Sequence, residues 1–562
     1  MSSFKSLPAI LVLGAMPFAT SAQESQSINQ VLDKVVARER AEMVAIRRYS
    51  PLVETYIQTV RPDKALGAVP DGDKYFLGRA ELDKGVQLEP LIDGNGKHKL
   101  FAGIGNFFSA AFLPRGFLQM IYLDEEGFDR EHYAFSYAGR EFLGEVRCLI
   151  FDIDPLPNTG KGRFSGRIWV EDQAYTIVRF NGSYGGSGHS SYYFNFDSWR
   201  ESSGKNEWLP AFIYSEEGNV EYGLANHSAF RPFKAQTRLW GYNLNRANEE
   251  QALSTLVVEG PKVRDQAETG NGYSPLQARR AWGRLAEDNV AAKMQRMGLM
   301  APYGEVDKVL ETVINNLEVT NNLDIQPEVR CRVLMTSTLE SFTIGHTIVV
   351  SRGLIDVLPD EASLAAVLSH ELGHVMLGHR MDTQFAFFNR VRFDEKETFH
   401  HFGFARKAEE EQTANQKGIE LLKKSPYQDR SGAAQAFFEA LQARQKDVPN
   451  LISPHLGDRV PKHWTIVSGA NTTPTANTAN TAMALPLGSR IKIEPWDDRL
   501  LMLKAQPESA VAEYEKMPFE VAPFMVYLTR QGGKATVSDS GAVAVQTDEM
   551  LESLPLINKP QD

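Results

Sequence analysis

The sequence predicts a multidomain α+β protein with a β-rich N-terminal domain, a mainly helical central domain and a small C-terminal module that contains strands. Three observations predict this class. The chain has 562 residues, which is enough for three or four domains. Between about residues 60 and 260, apolar and polar side chains alternate between turn clusters, as they do in strands. From residue 274 the apolar spacing becomes helical, and strand-like segments return after residue 485.

The composition and charge are those of a soluble globular protein. Apolar residues make up 42% of the chain and aromatic residues 10%. The formal net charge is −11, and no block of Lys and Arg reverses it locally, so binding to nucleic acid is not expected. After the first 22 residues no stretch approaches twenty apolar residues, so no transmembrane segment is expected in the mature chain.

The first 22 residues have the pattern of an export signal. Lys5 supplies a short basic region, an apolar run extends from Leu7 to Ala19, and Thr20-Ser21-Ala22 resembles a cleavage site. A membrane anchor is the alternative, but the run is too short for a spanning helix and contains two prolines. The mature chain is therefore expected outside the cytoplasm, most simply in a bacterial periplasm, with secretion as the alternative.

Residues 23–260 form the predicted β-rich domain, a curved antiparallel sheet or half-barrel. A helical pattern from Ser27 to about Val60 precedes the strands. Strand-like segments then recur between turn clusters, and the glycine-rich cluster is interpreted as a long hairpin loop. The strand-like segments are Phe117–Leu123, Arg167–Val170 and Tyr175–Phe180, and the turn clusters are Pro157–Gly162 and Gly182–Gly188.

Residues 275–467 form the predicted helical domain. Asp360 suits the N-cap of a helix that carries the five-residue sequence from His370 to His374. Apolar residues at helical spacing predict that this helix is buried. They are Leu364, Val367, Leu368, Leu372, Val375 and Met376.

After residue 467 the sequence predicts less structure. Residues 468–482 are rich in Asn, Thr and Ala and lack large apolar side chains, which is typical of a flexible linker. A small C-terminal module is predicted over residues 483–562, with strands at Arg490–Ile493 and Phe524–Leu528 and helical turns around Glu508–Tyr514.

The two cysteines, Cys148 and Cys331, are predicted to be buried free thiols in different domains, with a disulfide as the alternative. Because the chain has no other cysteine, a zinc site built on thiolates is excluded.

The segment His370-Glu371-Leu372-Gly373-His374 indicates metal chemistry. Residues four apart on a helix share one face, so both imidazoles can bind one Zn²⁺. Glu371 lies beside them, where it can take a proton from a metal-bound water. A chance match is the alternative, expected on the order of once per hundred such chains.

A catalytic zinc site needs a third protein ligand, and Glu411 is the preferred candidate. Glu411, Asn415 and Gly418 are spaced to share one face of a second helix, predicted from about Lys407 to Lys424. The alternative is that Glu411 belongs to a solvated acidic run, since two glutamates precede it.

Two stretches, Thr347–Leu358 and Leu364–His379, resemble the HtpX-like metallopeptidases, a group that also contains the CaaX prenyl protease. The resemblance covers about residues 275–467 and implies a zincin-like fold, one zinc ion per chain and hydrolysis of peptide bonds. The third ligand of that family is the Glu of an ExxAD segment, which implies Glu411 as the ligand here.

The chain departs from the family at two positions. Asn415 stands where the family has an Asp that orients a ligand histidine, so the charge that raises ligand basicity is missing. Ser453 stands where the family has a histidine that stabilises the tetrahedral intermediate. His455 or Arg459 is the candidate replacement for that role. His379 is expected to point away from the ligands and to interact with the helix C-terminus.

These observations predict a zinc-dependent endopeptidase that hydrolyses exported or envelope proteins, with Glu371 as general base. The substrate backbone is expected to add as a strand along Thr347–Val350. A zinc-binding chaperone-like or scaffold protein with weak or no proteolysis is the alternative. The N-terminal domain resembles the half-barrel of periplasmic lipoprotein carriers, on segments such as Gly162–Val170, which implies lipid or lipoprotein binding.

Overall fold

A computed structural model describes residues 20–64, 67–83, 85–91, 114–125, 127–160, 162–185, 194–203, 207–217, 232–242, 274–379, 402–452, 455–459, 487–488, 490–503 and 520–530. The α+β class predicted from the sequence is confirmed, with a large N-terminal antiparallel sheet, a helical central region and short C-terminal strands. The domain boundaries stay predictions. The linker 468–482, the turns around Glu508–Tyr514 and most of the export signal lie outside the described residues.

Within its described residues, the N-terminal region forms one antiparallel sheet of ten strands. The strands are β1 (Leu52–Asp63), β2 (Gly67–Glu81), β3 (Gln87–Pro90), β4 (Tyr133–Leu143), β5 (Val146–Pro155), β6 (Arg163–Glu171), β7 (Ile177–Gly185), β8 (Phe196–Ser202), β9 (Trp208–Glu217) and β10 (Phe233–Trp240). Their order is β3-β2-β1-β10-β9-β8-β7-β6-β5-β4, so β10 pairs with β1. Helix α1 (Thr20–Ile46) precedes the sheet, and α2 (Pro114–Gln119) lies between β3 and β4 in the chain.

The two faces of this sheet belong to two hydrophobic cores. One face packs against α1 and α2, in a cluster that includes Val35, Ile57 and Phe180. The opposite face, which includes Trp199 and Trp240, shares a core with the central helices and the C-terminal segment. The β-rich region is therefore packed directly onto the helical region.

Helix α1 ends at Ile46, so the prediction of a helix to about Val60 was wrong. Pro51 disfavours helical conformation at Ser50, and it cannot donate a backbone hydrogen bond. The residues that follow are rich in β-branched and aromatic side chains, which favour the strand β1.

The predicted strand Phe117–Leu123 was also wrong, because its first residues belong to helix α2. A short apolar run does not distinguish a strand from a buried helix by periodicity alone. Pro114 starts the helix, where its missing N–H costs nothing. Phe117, Leu118 and Ile121 are all buried, which is the spacing of one helical face.

The predicted strand Arg167–Val170 lies in β6, whereas the segment predicted from Tyr175 becomes a strand only at β7. Tyr175 has φ +59, outside the strand region. The start of the predicted glycine loop is part of β7 up to Gly185, and the rest of that loop lies outside the described residues. A Cβ at Gly182 would lie 2.2 Å from the Ser165 carbonyl oxygen, so glycine allows close strand pairing there.

The central region combines helices with a sheet of four short strands in the order β11-β13-β12-β14. The strands are β11 (Arg330–Leu334), β12 (Glu340–Ile344), β13 (Thr347–Ser351) and β14 (Asp458–Arg459). The helices are α3 (Pro275–Arg296), α4 (Glu305–Thr320), α5 (Arg352–Val357), α6 (Glu361–Leu377), α7 (Ala408–Lys423), a 3₁₀ turn (Gln428–Arg430), α8 (Ser431–Arg444) and α9 (Pro449–Ile452).

The C-terminal segment contains a two-stranded sheet of β15 (Ile491–Ile493) and β16 (Leu500–Met502), which confirms the first predicted strand. The second, Phe524–Leu528, was wrong, because this described segment has no ladder partner. It packs on the N-terminal sheet instead. The Phe524 ring lies 5.4 Å from that of Phe212, and the Leu528 carbonyl accepts the N–H of Glu145.

Both cysteines are buried and unbonded, as predicted. None of the described helices has the length and apolar character needed to cross a bilayer.

Candidate metal centre

Helix α6 holds the five-residue motif inside the protein. Asp360 is its N-cap and accepts a backbone N–H of the first turn at 2.8 Å, as the sequence predicted. Gly378 ends the helix in the left-handed conformation, with φ 67. His370, Glu371 and His374 are 2%, 0% and 0% exposed. The motif is therefore enclosed by protein on nearly all sides.

Helix α7 brings Glu411 to the histidines, and its bounds match the prediction to within one residue. Two glycines allow the helices to approach each other closely. A Cβ at Gly418 would lie 2.9 Å from the Cα of His370, and a Cβ at Gly373 would lie 2.5 Å from the carbonyl oxygen of Ala414. Larger residues at either glycine would separate the two helices that carry the cluster.

Three side chains with metal-ligating atoms face one another at the contact between these helices. The Nε2 atoms of His370 and His374 are 3.2 Å apart. Glu411 Oε2 lies 3.4 Å from Nε2 of His370, and Oε1 lies 3.3 Å from Nε2 of His374. Zn²⁺ bonds of about 2.0–2.1 Å at tetrahedral angles place neighbouring ligand atoms about 3.3 Å apart. The observed separations fit a zinc ion.

The electrostatics of the cluster also fit a cation. Burial raises the pKa of the Glu411 carboxyl, but the two histidines outweigh burial and hold that pKa at about 2. Burial lowers the pKa of His374, so its neutral, metal-binding form is favoured. The Glu411 side chain is 23% exposed and faces both histidines, unlike the exposed Glu409 in the same acidic run.

His379 lies against His374, in contrast to its predicted orientation away from the ligands. The two Nδ1 atoms are 2.9 Å apart, and the His379 N–H donates to the His374 carbonyl. The left-handed Gly378 ends the helix and turns the chain back toward it. The predicted orientation assumed that the helix continues to His379. A partner at Nδ1 fixes the ring and directs Nε2 toward the cluster. The glycine just after the helix was the signal that could have revealed this contact.

Glu371 also contacts a residue that no sequence motif indicated. The Ser341 hydroxyl on β12 donates to Glu371 Oε1 at 2.6 Å. Both side chains are buried.

The other predicted site residues are less directly connected to the cluster. Asn415 lies one turn after Glu411 on α7, and its orienting role stays a prediction. The His455 ring stacks on Tyr75 of the N-terminal sheet, with centroids 5.0 Å apart. Within the described residues, none of its hydrogen bonds or ring contacts reaches the three donors.

Ser453 and the side chain of Arg459 lie outside the described residues, while the Arg459 backbone pairs in β14. The structure therefore leaves the oxyanion roles predicted for His455 and Arg459 as predictions.

The predicted docking of substrate along Thr347–Val350 was wrong. These residues belong to β13, which pairs with β11 on one side and with β12 on the other. Both edges of the strand are already hydrogen-bonded, so an added strand has no free backbone groups to pair with.

A comparison with protein families agrees with this geometry. Residues 303–458 match the family model described as Peptidase family M48. Among solved structures, a crystal structure of a DUF1329 family protein from Desulfovibrio piger is similar at 11% identity and a TM-score of 0.16, covering 37% of this chain and 90% of that one. No curated protein matches the chain. At the level of the family, the matched region indicates a zinc metallopeptidase.

Proposed function

Because residues 303–458 match the model of peptidase family M48, we propose that this protein is a zinc-dependent endopeptidase acting on exported or envelope proteins, with Glu371 as its general base. The observation that carries the proposal is the convergence of His370, His374 and Glu411 beside a buried carboxylate. The region of the family match contains all four residues.

His370, His374 and Glu411 would hold the metal. When bound, Zn²⁺ supplies a Lewis acid that lowers the pKa of water to about 7 and polarises a peptide carbonyl. Glu371 takes the proton from the attacking water and returns it to the leaving amine. Its complete burial excludes bulk water, which strengthens these electrostatic interactions. Glu411, the most exposed of the three donors, marks the side from which solvent reaches the cluster.

The test of this function is the substitution Glu371→Gln in the full chain. The variant keeps the volume of the side chain but cannot accept a proton. We expect it to bind one zinc ion, as the wild type does, and to lose about 10²- to 10⁴-fold in peptide hydrolysis. Zinc content by elemental analysis and turnover of casein or a peptide library, with and without a chelator, measure the two quantities.

Two results would contradict the proposal. Undiminished cleavage by the Gln variant would exclude Glu371 as the base. A wild-type protein that binds zinc but cleaves no peptide would favour the alternative of a zinc-binding chaperone-like or scaffold protein, which the departures at Asn415 and Ser453 motivate.

The site of action and the role of the N-terminal sheet are part of the same proposal. Export rests on the first 22 residues, and detection of the mature chain in a periplasmic fraction tests it. The N-terminal region is proposed to bind a lipid or an envelope lipoprotein. A purified protein that carries no lipid would count against the lipid version.

A further inference from the structure

Ser341 makes a direct contact with the proposed general base. Its hydroxyl donates to Glu371 Oε1 at 2.6 Å, and the Ser341 residue is 8% exposed while Glu371 is 0% exposed. The two residues are thirty positions apart in the chain, so tertiary structure creates the contact. A hydroxyl donor on a buried carboxylate is a charge-assisted hydrogen bond, which is stronger than a neutral one.

The strand β12, which carries this hydroxyl, is held by a neighbouring strand on each side. Ser341 pairs with Val350 on β13 and with Asp458 on β14. Gly457, just before β14, makes the second contact possible, because a Cβ there would lie 2.8 Å from the Ser341 carbonyl oxygen. A side chain fixed on a paired strand loses little further entropy when it positions another group.

The neighbouring Glu340 ties the same strand to the segment that leads into β14. Its Oε2 accepts the backbone N–H groups of three consecutive residues at 3.0–3.1 Å. Those residues are His455, Leu456 and Gly457. The position of Ser341 is thus determined by backbone hydrogen bonds on both neighbouring segments.

This geometry assigns different tasks to the two oxygens of the Glu371 carboxylate. With Oε1 held by the hydroxyl, the orientation of the carboxylate is fixed relative to β12, and proton exchange is assigned to Oε2. We propose that Ser341 is a positioning residue for the general base, an inference that rests on the proposed function.

The experiment compares Ser341→Ala and Ser341→Thr with the control Ser369→Ala in the full-length protein. Ser369 is a buried serine next to His370 whose hydroxyl donates to the helix backbone at Ala366, so its loss leaves Glu371 untouched. For Ser341→Ala we expect kcat to fall about tenfold, with KM and zinc affinity unchanged. Thr restores the hydroxyl, and kcat should return to within about threefold of wild type.

Two kinetic outcomes would overturn the inference. One is a Ser341→Ala kcat within twofold of that of Ser369→Ala. The other is an equal loss in the Ala and Thr variants, which would show that the site tolerates no change of volume and does not depend on the hydroxyl.

A crystallographic readout separates this inference from the proposed function. In crystal structures of wild type and Ser341→Ala, we expect one Glu371 conformer in the first and a displaced or multiple conformer in the second, with the three donors unmoved. An unchanged Glu371 in the Ala variant would overturn the inference. A wild-type protein without hydrolytic activity would overturn the proposed function, while the conformers of Glu371 would still test Ser341.

Discussion

Two buried polar clusters in this protein are built in opposite ways. The first surrounds Arg352 at the junction of the N-terminal sheet, the central region and the C-terminal segment. The guanidinium donates to Glu54 at 2.8 Å, to Asp356 at 3.2 Å and to the carbonyl of Met335 at 3.1 Å, and it also contacts the hydroxyl of Ser337. Donors and acceptors are matched within the chain itself.

The carboxylates of this first cluster have further donors. Glu54 accepts from the Tyr75 hydroxyl at 2.8 Å, and Asp356 accepts from the N–H of Ile491 at 2.7 Å. Burial raises the pKa of Asp356, and Arg352 opposes that shift by favouring the charged form. Such a cluster has no capacity left for a ligand, so its role is to join three segments of the chain.

The second cluster, formed by His370, His374 and Glu411, points metal-ligating atoms at one another. Its two Nε2 atoms are 3.2 Å apart, and the Glu411 carboxylate lies 3.3–3.4 Å from them. Two imidazoles and a carboxylate are zinc ligands, and a cation between them would contact all three. Burial and charge alone therefore do not indicate a binding site, whereas metal-ligating atoms that converge on one point do.

The largest expected effect comes from removing an acceptor of the second cluster. Glu411→Ala should lower zinc affinity roughly a thousandfold, about 4 kcal/mol, because a protein zinc site of about 10–16 kcal/mol shares its energy among three or four ligands. Competition with a chromophoric chelator measures this affinity. Glu409→Ala, an exposed glutamate on the same helix, is the matched control and should bind zinc as the wild type does. Equal zinc affinities in the two variants would show that Glu411 is not a zinc ligand.

A substitution in the first cluster should lower the free energy of unfolding and leave zinc affinity unchanged. Arg352→Met keeps most of the side-chain volume but removes the guanidinium that contacts the buried Glu54 and Asp356, and we expect a loss of about 3 kcal/mol in unfolding free energy. Urea denaturation measures it, with Arg167→Met as control, since the exposed pair of Arg167 with Asp152 contributes about 0–1 kcal/mol. A loss below 1 kcal/mol for Arg352→Met would show that the cluster does not stabilise the junction.

The sequence could predict the parts of the second cluster that depend on local patterns. The N-cap Asp360, the bounds of both ligand helices and the spacing of His370 and His374 follow from caps and from helical periodicity. Glu411 required, in addition, the resemblance to a known family, because an acidic run by itself is consistent with a solvated surface.

The parts that depend on tertiary contacts could not be predicted. Ser341 reaches Glu371 only because β12 pairs with β13. The other edge of β13 is paired with the parallel strand β11, so it is not free for substrate. His379 returns to His374 through the left-handed Gly378. The contacts of Arg352 with Glu54 link residues almost three hundred positions apart. None of these pairings leaves a periodic signal in the sequence.

The smallest effect concerns Asp498, a buried carboxylate on which the effect of burial outweighs the opposing charge of Arg79. The N–H of Gly241 donates to it at 2.7 Å. Burial raises its pKa from 3.8 to about 7, and nearby Asp497 adds to the shift. Since the unfolded state loses this proton at lower pH than the folded state, the stabilising contribution is complete below pH 3.8 and is lost as pH rises toward 7.

Asp498→Asn keeps an acceptor oxygen, and asparagine tolerates the left-handed backbone found there, with φ 59. The variant should therefore gain stability relative to wild type between pH 4 and pH 8, on the order of 2 kcal/mol. Urea midpoints of the metal-free proteins at both pH values measure the gain. Asp152→Asn is the control that should show little change over this pH range, because the contact with Arg167 lowers the pKa of that exposed carboxyl further below 3.8. A difference between the Asp498→Asn variant and wild type that does not change with pH would mean that Asp498 is ionised throughout. Its burial would then be balanced by donors, as in the Arg352 cluster.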